Sequence, residues 1–271
     1  MSAPSEEWSG PRTAAAFLRR LSDGLPVTAL GVRSARTTEI ARLAQASGHD
    51  VLWVDLEHSA MPIDLAAQIC SSALDLGLFP LVRVPEREYG VIGRLLDGGA
   101  LGIIAPRIET AAQAADVVAA CRFPPLGHRS AIGQLAVSRY RPLPASELHA
   151  LANAATLVKV LIESGAGIAN IEEIARVPGV DLIGIGTNDL CAELGVPGDF
   201  RHPLVREAHD AALAVCLRLG KPLAIGGIAD AAYSADFVRR GAAPFLMTGI
   251  DTEMFLASAH ERARRARASI Q

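Results

Sequence analysis

Five side chains in this sequence have types and settings that suit chemistry: Asp55, His58, Arg83, Glu163 and Asp189. A carboxylate beside an imidazole orients the ring and raises its basicity, so Asp55 with His58 soon after it reads as a general base. A structural histidine is the alternative. Arg83 closes an otherwise apolar run. It offers either a partner for a nearby carboxylate or a planar donor fork for an anionic substrate or a developing oxyanion. Glu163 and Asp189 each follow an apolar run, and both offer oxygen. Hard divalent cations such as Mg²⁺ or Mn²⁺ prefer oxygen and often take one or two carboxylates plus water and substrate. A rim salt bridge for Glu163 and a helix N-cap for Asp189 account for the same residues without a metal.

Such residues act together only if the chain brings them to one place. Eight short runs rich in Val, Ile and Leu recur along it: Pro26–Val32, Val51–Leu56, Leu78–Val84, Leu101–Pro106, Leu157–Ile162, Val180–Gly186, Pro222–Gly226 and Pro244–Gly249. Runs of this length bounded by Gly, Pro or charge read as strands buried on both faces. Amphipathic segments lie between them, among them Thr38–Ser47, Ile63–Leu76, Ala111–Cys121 and Val205–Leu219. Strand and helix alternating eight times imply a closed parallel (β/α)₈ barrel over residues 1–271, with 1–25 as an N-terminal extension or helix. An open doubly wound sheet is the competitor, but the first strand runs into Gly31-Val32-Arg33-Ser34, with no Gly-rich phosphate turn. Two stretches read as long loops: Phe123–Ala155 and Cys191–Pro203. In such barrels the active site lies at the carboxyl ends of the strands. Asp55, Arg83, Glu163, Asp189 and Asp251 fall there. Carboxylates at several ends of one rim repel unless a cation neutralises them.

Composition narrows the field. Half of the 271 residues are hydrophobic, enough for a large core, and the net charge is −3, which implies no polycation-driven nucleic-acid binding. Arg262, Arg264, Arg265 and Arg267 read as a basic helix end that complements the helix dipole. Four scattered cysteines show no zinc-type spacing and suit reduced thiols in the cytoplasm. No basic-then-apolar leader and no uncharged apolar run of about 18 residues is seen, so no membrane span is expected.

Several spaced motifs agree with one family. Trp53–His58, Leu81–Arg83, Leu95–Pro106, Ile162-Glu163, Val180–Leu190 and Gly249–Thr252 resemble, in order, the class II pyruvate aldolases of the HpcH/HpaI type. The resemblance runs from about Leu30 to Ala257. It implies a phosphoenolpyruvate/pyruvate-type TIM barrel in which Glu163 and Asp189 hold Mg²⁺, Mn²⁺ or Co²⁺. It implies that a 2-oxo acid such as pyruvate and an aldehyde are the partners, joined or parted through a pyruvate enolate. His58, paired with Asp55, is implied as the base, and Arg83 as the contact to the ketone or enolate oxygen. Backbone N–H groups around Gly186, Thr187 and Asn188 are implied to bind the pyruvate carboxylate, and the chain to form a homo-oligomer, a trimer or hexamer. The sequence departs from the family pattern at Leu56 (usually Gly), Leu161 (usually Gln), Thr187 (commonly Pro) and Cys191 (commonly Ser).

Two other functions use the same frame. A lyase of citramalyl- or malyl-type CoA thioesters would need a basic loop for the CoA phosphates, and none stands out. A non-catalytic binding barrel would have no need of Asp55, His58, Arg83, Glu163 and Asp189 together. Lys159 alternates with Leu161 and Glu163 and so should face the barrel interior. It is expected below the site, paired with a buried carboxylate, rather than acting as a Schiff-base lysine.

Overall fold

The computed structural model describes residues 13–228 and 230–270. Eight strands form one parallel sheet: β1 (Val27–Val32), β2 (Val51–Asp55), β3 (Phe79–Arg83), β4 (Gly102–Ala105), β5 (Leu157–Ile162), β6 (Leu182–Gly186), β7 (Leu223–Gly226) and β8 (Phe245–Ile250). Their order is β7-β6-β5-β4-β3-β2-β1-β8, so sequence neighbours pair and β8 returns to β1. The Ala243 amide donates to Leu223 O (2.7 Å) and draws the β7 and β8 ends of the sheet together. The sheet is a nearly closed (β/α)₈ barrel, as the alternation of apolar runs and amphipathic segments implied.

The helices are α1 (Ala14–Ser22), α2 (Glu39–Ala46), α3 (Ile63–Leu76), α4 (Ile92–Asp97), α5 (Ala111–Cys121), α6 (Ala145–Ala155), α7 (Gly165–Ala169), α8 (Ile171–Arg176), α9 (Thr187–Glu193), α10 (Pro203–Leu219), α11 (Ala231–Arg239) and α12 (Asp251–Ala268). Local chemistry sets several boundaries. Thr110 and Gln113 close a reciprocal capping box on α5, and Pro203 occupies the first turn of α10, where a missing N–H costs nothing. Of the expected N-terminal segment 1–25, residues 1–12 lie outside the described residues; the remainder holds α1. Both expected long loops carry more structure than anticipated. Phe123–Ala155 contains α6 and a small core of Phe123, Leu135, Leu148 and Ala152, and Cys191 belongs to α9. Neither α6 nor α9 was legible, because α9 is short and the buried stripe of α6 is only Leu148 with two alanines, Ala152 and Ala155.

Strand register explains why the site is polar only at one end. Side chains alternate between the barrel interior and the helix layer. On the interior face β2 reads Val51, Trp53, Asp55 and β3 reads Phe79, Leu81, Arg83, with Asp55 opposite Arg83. β5 reads Leu157, Lys159, Leu161 and then Glu163 just past its end. Apolar layers thus lie below and charge lies on top. Gly184 makes one layer possible, since a Cβ there would stand 2.6 Å from Leu161 Cδ2 and 2.7 Å from Lys159 Cε. The floor is sealed by α1: Phe17 is fully buried, with ring centroids 4.9 Å from Phe79 and 5.6 Å from Phe245. Among the described residues no helix is long and apolar enough to cross a membrane.

Phe17→Ala removes this plug. Loss of a buried aromatic costs about 3–5 kcal/mol through lost transfer energy and the cavity left behind. Denaturant unfolding of the variant should show a loss of that size; a loss under 1 kcal/mol would mean that α1 contributes little to the floor.

Candidate active site

The rim is organised around Asp55, whose side chain is wholly inaccessible to solvent. Arg83, the register partner on β3, donates from Nε to Asp55 Oδ1 (3.0 Å) and from Nη2 to Oδ2 (2.7 Å). Arg33, just past β1 on the other side, donates from Nε to Oδ2 (3.0 Å). Oδ1 also accepts the backbone N–H groups of Glu57 (3.1 Å) and His58 (3.2 Å). Burial alone would push the Asp55 carboxyl up. The hydrogen bonds and charge of Arg83, then Arg33, outweigh it and hold the group below its ordinary range.

The expected pairing of Asp55 with the His58 imidazole is therefore replaced by another arrangement. Asp55 holds His58 through the backbone of the turn. The carboxylate near the ring is Glu57, with Oε2 3.8 Å from Nε2, and the His58 side chain is half exposed at the rim. The reason is competition: the guanidinium groups of Arg83 and Arg33 occupy the carboxylate, leaving no position for the imidazole. Glu57 also takes Arg83 Nη1 at 2.9 Å, so Arg83 joins the two carboxylates of one turn.

Across the barrel, Glu163 is almost completely buried just past β5. Its Oε2 accepts the Arg107 backbone N–H at 2.8 Å. Arg107 offers that N–H from the left-handed region (φ 49°), an uncommon conformation for a residue with a side chain. Gly186 leaves room for the carboxylate, because a Cβ there would lie 2.8 Å from Glu163 Cδ. Burial first, then the charges of Glu57 and Asp189, push the Glu163 carboxyl up to about 7 against the single Arg107 hydrogen bond and the charge of Arg83. Asp189 stands in the first turn of α9, whose N-cap is Gly186, so Asp189 is not the N-cap residue. Thr187 is fully buried with its hydroxyl turned away from the rim, while Asn188 is exposed.

The fit to a cation rests on Glu163 and Asp189. The charge of Asp189 raises the cost of ionising the buried Glu163, and a divalent cation would reverse that cost. Among the described residues no group of three or more His, Cys, Asp or Glu side chains is placed to hold a metal. The protein's own share is thus the two carboxylates, which suits a cation that keeps positions for water and substrate.

Residues 32–258 match the HpcH/HpaI aldolase/citrate lyase family. The chain belongs to this family. A 4-hydroxy-4-methyl-2-oxoglutarate aldolase from Chaetomium globosum is 39% identical over 213 residues, covering 78% of this chain and 79% of the relative. A 4-hydroxy-2-oxovalerate aldolase from Rhodococcus jostii is 36% identical over 216 residues, covering 79% and 81%. The crystal structure of an HpcH/HpaI aldolase from Desulfitobacterium hafniense superposes with a TM-score of 0.85 at 28% identity, covering 92% of this chain and 95% of that one. As a member of this family the chain is an enzyme, a carbon–carbon lyase of the aldolase type.

Sequence reasoning missed three contributors: Arg33, Glu57 and the Arg107 backbone. Glu57 carried a signal, lying in the same turn as Asp55 and His58. Arg33 and Arg107 carried none beyond their places after β1 and β4. Lys159 is interior as expected but has no carboxylate partner among the described residues. Its Nζ lies 4.6 Å from the Phe245 ring centroid, near the barrel floor. Burial, then the charge of Arg83, pushes its pKa down to about 7, with Glu163 acting in the opposite sense.

The raised Glu163 pKa gives a sign for stability. In the folded metal-free protein Glu163 keeps its proton up to about 7, whereas in the unfolded chain it loses it near 4.5. The folded state therefore binds more protons between those values, and this residue's contribution falls as pH rises through that window. Glu163→Gln removes the effect. Metal-free E163Q should match wild type in stability near pH 4.5, gain on it as pH rises, and hold a constant margin above about pH 7. A margin independent of pH would place the titration elsewhere.

Proposed function

We propose that the protein is a divalent-metal-dependent aldolase that cleaves or forms the C3–C4 bond of a 4-hydroxy-2-oxo acid through a pyruvate enolate. The observation that carries this reading is the meeting of Glu163 and Asp189 with Arg83 above an apolar barrel interior. Two acidic side chains offer oxygen to a cation, and a fixed guanidinium stands across from them. The metal, Mg²⁺, Mn²⁺ or Co²⁺ held by Glu163 and Asp189, would act as a Lewis acid that lowers the cost of enolate charge.

In the cleavage direction a base takes the proton of the 4-hydroxyl, the O–H electron pair forms the carbonyl of the departing aldehyde or ketone, the C3–C4 electron pair becomes the enolate, and the enolate carbon then takes a proton from that base or from water. We assign the proton on the hydroxyl to His58, a half-exposed imidazole with Glu57 beside it. Arg83 is assigned to the ketone or enolate oxygen. Asp55 and Glu57 fix its plane, so little reorganisation is required as charge develops. Asp55 is a positioning residue for Arg83 and for the turn that carries His58. The backbone N–H groups of Gly186, Thr187 and Asn188 are assigned to the pyruvate carboxylate; the buried Thr187 hydroxyl takes no part. Leu161, buried on the interior face beneath the site, gives the site an apolar floor where the family usually has Gln. The relatives' names support a 2-oxo acid with an aldehyde or ketone acceptor.

A homo-oligomer is supported by α12, which has no buried residue and leaves Phe255 and Leu256 exposed. Four free, buried cysteines suit a reducing compartment such as the cytoplasm.

The test is exchange of pyruvate methyl protons with D₂O, followed by NMR. Exchange should stop on exhaustive chelation and return with Mn²⁺ or Mg²⁺, and it should persist in neither Glu163→Ala nor Asp189→Ala. His58→Ala should lower kcat of cleavage by about 10²–10⁴, the scale of a positioned acid–base group, with metal affinity retained. Borohydride with pyruvate should leave Lys159 unmodified. Exchange in the absence of metal, or a pyruvyl adduct on Lys159, would replace this mechanism with an imine one.

A further inference from the structure

Behind the rim lies a buried polar chain that the proposed mechanism does not use. Thr187 on α9, His209 on α10 and Tyr233 on α11 are 0%, 0% and 6% exposed. His209 Nε2 lies 3.3 Å from the Thr187 hydroxyl, and its Nδ1 lies 3.0 Å from the Tyr233 hydroxyl. The imidazole stands edge-on to Phe237, at 5.6 Å and 90°, and to Tyr233, at 5.9 Å and 71°. Its ring plane is thus fixed as well as its two nitrogens.

We propose that His209, held by Tyr233, is a positioning residue for Asp189: it grips the Thr187 hydroxyl and so fixes the first turn of α9, from which Asp189 reaches the metal position. This rests on the metal reading above. Three observations lead to it. First, α9 has seven residues and a glycine N-cap with no side chain to cap it. A helix this short has little intrinsic stability, so tertiary contacts set its place. Second, no hydrogen bond among the described residues holds the Asp189 carboxylate, so the placement of this residue rests on the backbone of α9. Third, the partners behind His209 belong to formed helices. His209 lies within the seventeen-residue α10. The Tyr233 backbone is fixed at the start of α11, where Asp230 Oδ1 accepts the Ala232 N–H (2.9 Å) and the Tyr233 N–H (3.1 Å).

The chemistry suits a fixed tether. Burial holds the His209 imidazole down at about 4, so the ring is neutral near pH 7, with one nitrogen donating and one accepting. Hydroxyls at both ends can take either role, so both nitrogens are satisfied in either tautomer. Three apolar side chains would fill the same volume without the cost of burying polar atoms. A polar chain here is worth that cost if the direction of the Thr187 bond matters.

The test measures Mn²⁺ binding to the full chain by calorimetry, with no substrate present, alongside amide hydrogen exchange of the first turn of α9. Thr187→Val keeps the shape and removes the hydroxyl; His209→Leu removes both hydrogen bonds. His209→Gln places an amide where Nε2 was and keeps the bond to Thr187. Thr187→Val and His209→Leu should each weaken Mn²⁺ binding about tenfold, the lower end for groups that orient metal ligands, and speed exchange at α9. The double variant should be no weaker than either single one, and His209→Gln should stay close to wild type. Wild-type affinity and exchange in Thr187→Val would overturn the proposal, as would additive losses in the double variant. Should His209→Leu not fold, Thr187→Val set against His209→Gln carries the comparison. If Glu163→Ala binds Mn²⁺ as wild type does, the metal reading fails; α9 exchange in Thr187→Val then decides the tether by itself.

Discussion

The arrangement of the rim depends on one buried carboxylate. Asp55 sits at the end of β2 with no exposed surface, and the strands on both sides supply its counter-charges: Arg83 from β3 and Arg33 from beyond β1. Two backbone N–H groups of the following turn complete its acceptors. A buried charge stripped of its partner costs about 3–5 kcal/mol. The pairing therefore locks three consecutive strand ends, and the turn bearing Glu57 and His58, into one geometry. The same constraint orients Arg83, because its Nε and Nη2 are committed to Asp55 and its Nη1 to Glu57.

Beneath this layer the barrel is almost entirely apolar. Trp53, Leu81 and Leu161 fill the layer below the charges, and Phe17, Phe79 and Phe245 close the floor. A dry interior raises the strength of every charge interaction above it, because little solvent screens from below. Lys159 is the exception within that interior. Its amine lies over the Phe245 ring rather than against a carboxylate, which fits a group that burial drives toward its neutral form. With its pKa pushed down to about 7, the amine holds its proton less firmly than an ordinary lysine, and the fixed charges of the rim are those of Arg83 and the acidic residues.

The sequence made the strands legible because each is buried on both faces and reads as an unbroken apolar run; the observed limits of β5 coincide with those expected. Asp55, Arg83, Glu163 and Asp189 were legible for the same reason, as charges standing where such runs end. What pairs with what was not. The partner of Asp55 is decided by strand neighbours that lie far off in the chain, and the nearby imidazole was a plausible but wrong choice. His209 was invisible because a histidine on an amphipathic helix carries no sign of what it faces. Its role emerges only when α9, α10 and α11 are seen to share a boundary.

Asp55 and Glu163 show how one rim uses the same functional group in two ways. Both are buried carboxylates at the ends of barrel strands. Two guanidinium groups and two N–H groups hold Asp55 ionised, below its ordinary range. Glu163 has one backbone N–H and two acidic neighbours, and its pKa rises to about 7. The difference in partners makes one group a permanent anion that organises the arginines and the other a site that takes a proton when no cation is present. A rim in which every carboxylate resembled Asp55 would have its charges already satisfied and little affinity for a cation. A rim in which every carboxylate resembled Glu163 would lack the fixed charge that orients Arg83. Opposed environments on strand ends that face each other across the barrel are therefore what allow a metal and a guanidinium to serve the same small volume.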